Sequence, residues 1–109
     1  MRRGEIYTAA ARGAYTGKPR PVLIIQDDRF DATSSVTVCP MTTHVVDAPL
    51  LRIAIPANDL TGISTASWLM VDKITTMPKE NLRTRLGRIS EEDLLVLGRS
   101  LVVFFGLAG

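Results

Sequence analysis

A proline on each side of Arg20, directly before an apolar run, constrains the fold more than any other feature of this sequence. Each proline fixes its own backbone φ angle and disfavours helical geometry in the residue before it. Residues 22–25 read Val-Leu-Ile-Ile, which is typical of a central strand buried on both faces. The segment 21–26 is therefore predicted to be a strand that holds Arg20 at the edge of a rigid sheet. A planar, permanently charged guanidinium in a fixed position is suited to binding a phosphate.

Five further segments have strand patterns, and the last part of the chain has a helical one. The other predicted strands are residues 5–10, 35–39, 50–55, 67–74 and 82–89. Ser90 precedes three acidic residues as a helix N-cap, apolar residues then recur at helical spacing, and Gly106 occupies the position of a C-terminal cap. This pattern predicts one mostly β domain, residues 1–109, built as a small, strongly bent antiparallel barrel with the helix packed against it.

The composition excludes several classes of function. Cys39 is the only cysteine and His44 the only histidine, so a thiolate cluster, a multi-histidine metal site and an intramolecular disulfide are excluded. The net charge of +2 is too small to indicate a nucleic-acid partner by itself. No signal-peptide pattern opens the chain, and the apolar run at 101–105 is too short to cross a bilayer. We therefore expect a cytoplasmic protein without a cofactor.

Five short motifs follow one another along the chain. They are Arg-Gly-Glu-Ile-Tyr at 3–7, Lys-Pro-Arg-Pro-Val-Leu-Ile-Ile-Gln at 18–26, Val-Cys-Pro-Met-Thr-Thr at 38–43, the Asp-containing strand and its exit at 67–78, and Leu-Gly-Arg-Ile at 86–89. These motifs and their order resemble the MazF/PemK family of toxin endoribonucleases. The resemblance covers nearly the whole chain.

This resemblance implies an SH3-like barrel that forms a homodimer and is blocked by a cognate antitoxin. The alternating edge strands and the apolar terminal helix also favour a homodimer, bound by an acidic segment of the antitoxin. The resemblance further implies sequence-specific cleavage of single-stranded RNA without a metal, which inhibits translation and growth. In the family the 2′-hydroxyl attacks the neighbouring phosphorus and the 5′-hydroxyl leaves, so the products carry a 2′,3′-cyclic phosphate and a 5′-hydroxyl.

Four residues are candidates for the catalytic site. Arg20 would bind the non-bridging phosphate oxygens, and Thr42 matches the family's catalytic threonine, whose hydroxyl can both donate and accept. Arginine stays protonated in proteins, and residues 14–18 lack the carboxylate that many relatives carry before the arginine. Either another side chain is the general base, or positioning and electrostatics carry a slow reaction without one. His44 has a suitable side chain. Asp72 matches the family's aspartate, with an ion pair to Lys73 as its alternative role.

RNA binding is predicted for basic residues and their aromatic and polar neighbours. These residues are Arg12, Tyr15, Lys18, Arg29, Thr43 and Arg52. Charge combined with stacking aromatics is the usual way of holding single-stranded RNA. Trp68 is a second candidate for stacking, with packing in the core or in an interface as its alternative.

Two other classes of function remain open at this point. A toxin of the same fold could inhibit a protein, as the gyrase poison CcdB does, but such chains lack the arginine–proline strand combined with the Thr-Thr element. A non-catalytic SH3-like module that binds nucleic acid or a peptide would not need Arg20 and Thr42 together.

Overall fold

The computed structural model describes residues 1–10 and 19–107, which form a bent antiparallel sheet and one long helix. The strands are β1 (Glu5–Ala9), β2 (Arg20–Ile24), β3 (Ser35–Thr42), β4 (Arg52–Ile55), β5 (Ser67–Met70), β6 (Thr75–Pro78) and β7 (Leu82–Arg88). The helix α1 spans Glu91–Phe104. Three single 3₁₀ turns lie between strands, at Asp28–Phe30, Val71–Lys73 and Lys79–Asn81.

The long strand β3 joins the two parts of the sheet. The strand order is β4-β5-β3-β2-β1-β7, and β6 pairs with β3 beside this path. The first half of β3 pairs with β6, and its last two residues, Met41 and Thr42, pair with β5. One strand thus contributes to two ladders that follow each other along its length, which bends the sheet strongly.

The sequence-based strand limits were wrong at two places. Strand β3 does not stop at Cys39 but continues through Pro40 to Thr42. Pro40 is tolerated because it forms the last pair of the β2–β3 ladder, opposite Val22, so its missing N–H does not interrupt the ladder. The predicted strand 67–74 ends at Met70 as β5, the turn Val71–Lys73 follows it, and a strand that was not predicted, β6, begins at Thr75. The chain turns there so that β5 can pair with the end of β3 and β6 with its beginning.

A loop, rather than a strand ladder, connects the two ends of the described sheet. The β4 end and the β7 end are not hydrogen-bonded to each other as strands. Instead, the backbone N–H of Arg88 donates to the carbonyl of Leu60 over 2.9 Å. Gly62 has a φ of +69° and lies so close to the Leu86 carbonyl that a Cβ there would overlap it. The predicted antiparallel β fold with a terminal helix is therefore confirmed; the strands themselves form an open, barrel-like sheet whose two ends meet through this loop.

Side chains alternate between two apolar clusters on the two faces of the sheet. Leu23, Cys39 and Met41 point towards the larger cluster, which α1 covers with Leu97. Val22, Ile24 and Val38 point to the other face, into a smaller cluster with Leu82. The helix begins as predicted, with the Ser90 hydroxyl accepting from the Asp93 N–H over 3.1 Å. No helix within the described residues is long and apolar enough to cross a membrane.

Candidate functional site

Arg20 and Thr42 lie on the same face at the same end of the β2–β3 pair. Val22 is directly opposite Pro40 in the antiparallel register. Arg20 precedes Val22 by two residues and Thr42 follows Pro40 by two, so both lie two positions further towards this end. Because residues two apart in a strand share a face, the guanidinium and the hydroxyl project from one surface.

The Arg20 side chain borders a small groove on this face. The groove has a volume of about 210 Å³ and is bordered by residues of β1, β2, β3 and β6 and the turn before β7. Its lining residues are Ala9, Ala10, Arg20, Val22, Pro40, Thr75, Thr76, Met77 and Asn81. The polar side chains of β6 in this groove, Thr75 and Thr76, were not identified from the sequence. The turn at Val71–Lys73, after which β6 pairs with β3, was not predicted.

Arg20 is exposed and has no carboxylate within ion-pair distance among the described residues. Several other arginines do pair with acids; they are Arg2, Arg29, Arg52, Arg85 and Arg88. An arginine whose position is fixed by strand pairing with Ala9, and whose charge is not neutralised by a neighbour, is available to an external anion.

The Thr42 hydroxyl is oriented by the loop that follows it. Its Oγ1 accepts a hydrogen bond from the backbone N–H of His44 over 3.1 Å. Because a hydroxyl has one proton to donate and two lone pairs, the Thr42 O–H can still donate to a phosphate oxygen. The His44 side chain is exposed and lies two residues from Thr42.

Asp72 is paired with Arg52. The Arg52 Nη1 contacts Asp72 Oδ1, and the same nitrogen donates to the Leu51 carbonyl over 3.0 Å. Desolvation alone would raise the pKa of Asp72, but the hydrogen bond from Arg52, its own backbone amide and the charges of Arg52 and Lys73 hold that pKa below its ordinary value. A carboxylate stabilised in its ionised form is a weak proton acceptor. The alternative ion pair from Asp72 to Lys73 is not formed.

Arg52 is also less accessible than its predicted role in RNA binding requires. Its side chain is only 10% exposed, and its Nε is buried without a hydrogen-bond partner. The pattern of alternating apolar residues correctly placed Arg52 on the polar face of β4. It could not show that the guanidinium contacts the carboxylate of Asp72, 20 positions later in the chain.

The other predicted RNA-binding residues are not gathered around Arg20. Arg29 lies in the turn between β2 and β3, at the opposite end of this strand pair, and binds Asp27 over 3.1 Å. Thr43 lines a separate hollow of about 360 Å³, together with Pro19, Pro21 and residues of the loop before β5. Arg12, Tyr15 and Lys18 lie outside the described residues.

Nucleophilic cysteine chemistry and metal binding find no support in the described parts of the chain. Burial raises the pKa of the Cys39 thiol to about 12, with only partial compensation by a hydrogen bond to the Met70 backbone and by Arg52. Such a thiol is not a nucleophile at neutral pH. Within residues 1–10 and 19–107, no group of three or more potential ligands is placed to hold a metal ion.

One feature of the site that the sequence left ambiguous is the position of Trp68. It lies directly opposite Thr42 on β5, so the two side chains share a face. The apolar neighbours Leu69 and Met70 favoured packing in the core, whereas the strand register directs Trp68 to the surface that carries Thr42.

The fold and site together define a small antiparallel β protein that presents an unpaired arginine and an oriented hydroxyl on one surface. Residues 2–105 match the family described as "PemK-like, MazF-like toxin of type II toxin-antitoxin system". The chain belongs to this family, which confirms the family and the toxin class expected from the sequence.

Similar proteins of known name agree with this assignment. The chain is 66% identical, over the whole length of both proteins, to a protein of Mycolicibacterium smegmatis named "Probable endoribonuclease MazF". Among solved structures, the Mycobacterium tuberculosis toxin MazF-mt6 is 24% identical with a TM-score of 0.81, covering 96% of this chain and 99% of that one. A mycobacterial endoribonuclease in complex with its cognate antitoxin is 23% identical with a TM-score of 0.79, covering 100% of this chain and 98% of that one.

Proposed function

We propose that this toxin is a metal-independent endoribonuclease that cleaves single-stranded RNA at short recognition sequences. The observation that carries the proposal is the placement of the unpaired Arg20 and the oriented Thr42 hydroxyl on one face of the β2–β3 pair. The name of the 66% identical relative supports the same activity. Cleavage of cellular RNA would inhibit translation and growth, and we propose that the protein acts in the cytoplasm.

The reaction requires no nucleophile from the protein, because the substrate carries one. The ribose 2′-oxygen attacks the adjacent phosphorus, the bond to the 5′-oxygen breaks, and a 2′,3′-cyclic phosphate and a 5′-hydroxyl result. Negative charge on the non-bridging oxygens must be stabilised as the pentavalent phosphorus forms. Arg20 supplies two N–H donors in a planar fork for these oxygens.

Proton transfer is the second requirement of the reaction. The proton of the 2′-hydroxyl has to leave as the new bond forms, and the 5′-oxygen has to gain one. His44 is the titratable side chain nearest in sequence to Thr42, and we propose it as the general base. Asp72 is better suited to fixing Arg52 than to accepting a proton, since it is held in its ionised form.

Thr42 positions the phosphate in this mechanism. Its hydroxyl accepts from the His44 N–H, so its own proton is directed away from that bond and towards an oxygen of the substrate. Thr43 faces a different hollow and would contact a nucleotide outside the cleaved bond.

We further propose that the toxin forms a homodimer and that an antitoxin with an acidic segment covers the site. Exposed apolar side chains on α1 support an interface between copies: Leu95, Val96, Val102, Val103 and Phe104. The unpaired charge of Arg20 supports an acidic antitoxin segment as a competitor for the RNA phosphate. A solved structure of a mycobacterial endoribonuclease in complex with its cognate antitoxin supports an antitoxin as the partner.

The nuclease activity can be tested by incubating the protein with a long mixed-sequence RNA in excess EDTA and mapping the new ends. We expect cuts at discrete sites with 5′-hydroxyl ends, and losses of at least about 100-fold in rate for Arg20→Ala and Thr42→Ala. Intact RNA over many sequences would refute the nuclease and favour a CcdB-like inhibitor or a non-catalytic module.

Arg88→Ala is a matched control for these variants. Arg88 is an exposed arginine that lies opposite Glu5 in the strand register, at one end of β1, whereas Arg20 lies opposite Ala9 at the other end. This variant changes the net charge as Arg20→Ala does, and it should cleave at the wild-type rate. An equal loss of rate in both variants would indicate a general effect of charge rather than a phosphate contact.

A further inference from the structure

Trp68 and Thr42 form a directly opposed pair across the β3–β5 ladder. Side chains of such a pair project from the same face, with Cβ atoms about 5 Å apart. The indole therefore stands beside the hydroxyl that we assign to the scissile phosphate.

Among residues 1–10 and 19–107, the indole is not part of the apolar core. Trp68 is half-buried, whereas its neighbours Ser67 and Leu69 are buried. It does not belong to either of the two apolar clusters or to the side chains packed against them. A large aromatic residue usually contributes strongly to a core, so its place outside both clusters calls for another role.

The other strand beside Trp68 places only a small side chain next to the indole. On β4 the residue opposite Trp68 is Ala54, which is small and exposed. The half-buried indole therefore lies between the Thr42 hydroxyl and a methyl group, and neither neighbour is large enough to cover the whole ring. The part of the ring that stays accessible can receive a flat ligand.

We propose that Trp68 is a stacking platform for the base of a nucleotide next to the scissile phosphate. This assignment rests on the proposed RNA substrate. Stacking on an aromatic side chain tolerates every base, because each base presents a π-face. Trp68 would hold the strand in place beside Thr42 and Arg20, and the choice of sequence would be left to other contacts.

Trp68 is the only tryptophan of the chain, so its fluorescence reports on the platform directly. The ligand for this experiment is a mixed-sequence pool of fully 2′-O-methylated RNA, which lacks the attacking hydroxyl and cannot be cut. We expect saturable quenching of the emission of the wild-type protein. Quenching that stays absent while the labelled pool binds by fluorescence anisotropy would overturn the proposal.

Kinetics with cleavable RNA provide a second readout. Trp68→Ala should raise KM by about 5- to 150-fold with little change in kcat, and Trp68→Phe should restore most of the loss because the ring is kept. Phe30→Ala is the control, since Phe30 is an exposed aromatic in the turn at the opposite end of the β2–β3 pair. An unchanged KM in Trp68→Ala would contradict the platform.

The two proposals fail in different ways. If the RNA is cut normally and the indole is not quenched, the nuclease stands and the platform is refuted. If the RNA is not cut but the 2′-O-methyl pool quenches the indole, the platform stands as a nucleic-acid-binding surface and the nuclease is refuted.

Discussion

At the scale of single residues, the ion pair between Arg52 and Asp72 gives Asp72 a structural role rather than a catalytic one. Arg52 is nearly buried at 10% side-chain exposure and Asp72 is 29% exposed. Removing the carboxylate leaves a buried guanidinium without its partner, which is more costly than losing a surface pair. We expect Asp72→Asn to lower the free energy of unfolding by about 1 to 2 kcal/mol, measured by urea denaturation at pH 7.

The dependence of this effect on pH follows from the lowered pKa of Asp72 in the folded protein. Because the folded state favours the ionised carboxylate, the stabilisation is fully present above the unfolded pKa of ~3.9 and is lost as the pH falls through the folded value. The stability difference between wild type and Asp72→Asn should therefore disappear in acid. Asp59→Asn, which changes an exposed carboxylate in a turn, is the control and should leave the free energy of unfolding at pH 7 within about 0.5 kcal/mol of the wild-type value.

The proposed base is tested by a different substitution. His44→Gln removes the ionisable ring and should reduce kcat by about 100-fold. The loss should fall on kcat rather than on KM, because the proton transfer belongs to the chemical step. An unchanged kcat in His44→Gln would exclude His44 as the base.

Which residues belong to the site could be predicted from the sequence more readily than the contacts that these residues make. The two prolines around Arg20 and the Thr-Thr pair after β3 are local signals, and strand register brings them together. Asp72 matched a family position, but its partner is 20 residues away, across the β4–β5 hairpin. A contact of that kind depends on the tertiary pairing of strands, which a local pattern does not contain.

At the scale of elements, two glycines allow the loop after β4 to reach β7. A Cβ at Gly62 would overlap the Leu86 carbonyl, and one at Gly87 would overlap the Leu60 carbonyl. Gly62 also has a positive φ, which is costly for other residues. We expect Gly62→Ala and Gly87→Ala each to lower the free energy of unfolding by about 2 to 4 kcal/mol.

A third glycine provides the control for this prediction. Gly98 lies inside α1, and a Cβ there would meet only the end of the flexible Arg3 side chain at 3.8 Å. Since alanine is the better helix former, Gly98→Ala should raise the stability by up to about 1 kcal/mol. Equal effects of all three substitutions in thermal or urea unfolding would show that the loop contact does not close the sheet.

The elements themselves differ in how well they could be predicted. Helix α1 was predicted closely, because its cap, its acidic first turn and its apolar spacing are all local. The end of β5 at Met70 and the separate strand β6 were missed, since the apolar run from Leu69 to Val71 contains no local turn signal. The turn at Val71–Lys73 is imposed by β3, which pairs with β5 and with β6 at different places along its length.

At the scale of the whole molecule, α1 carries an apolar surface that a monomer would leave in water. Val103 is 55% exposed and borders two apolar hollows, one of about 820 Å³ and one of about 440 Å³. If this surface is the interface of the proposed homodimer, Val103→Glu should shift the protein to monomer in sedimentation experiments at micromolar concentration. Phe30→Glu, an equal change at an exposed residue remote from α1, should leave the dimer intact. A wild-type monomer under these conditions would contradict the proposed dimer.

The central claim is that the 2′-hydroxyl of the substrate is the nucleophile and that Arg20 and Thr42 act on the phosphate beside it. Once the cut sites are mapped, the most direct measurement uses a short RNA in which only the nucleotide before the cut bond is 2′-deoxy. We expect this RNA to bind like the unmodified one and to remain uncut, while a 2′-deoxy nucleotide two positions away leaves cleavage unaffected. Cleavage of the modified bond at the normal rate would contradict the mechanism.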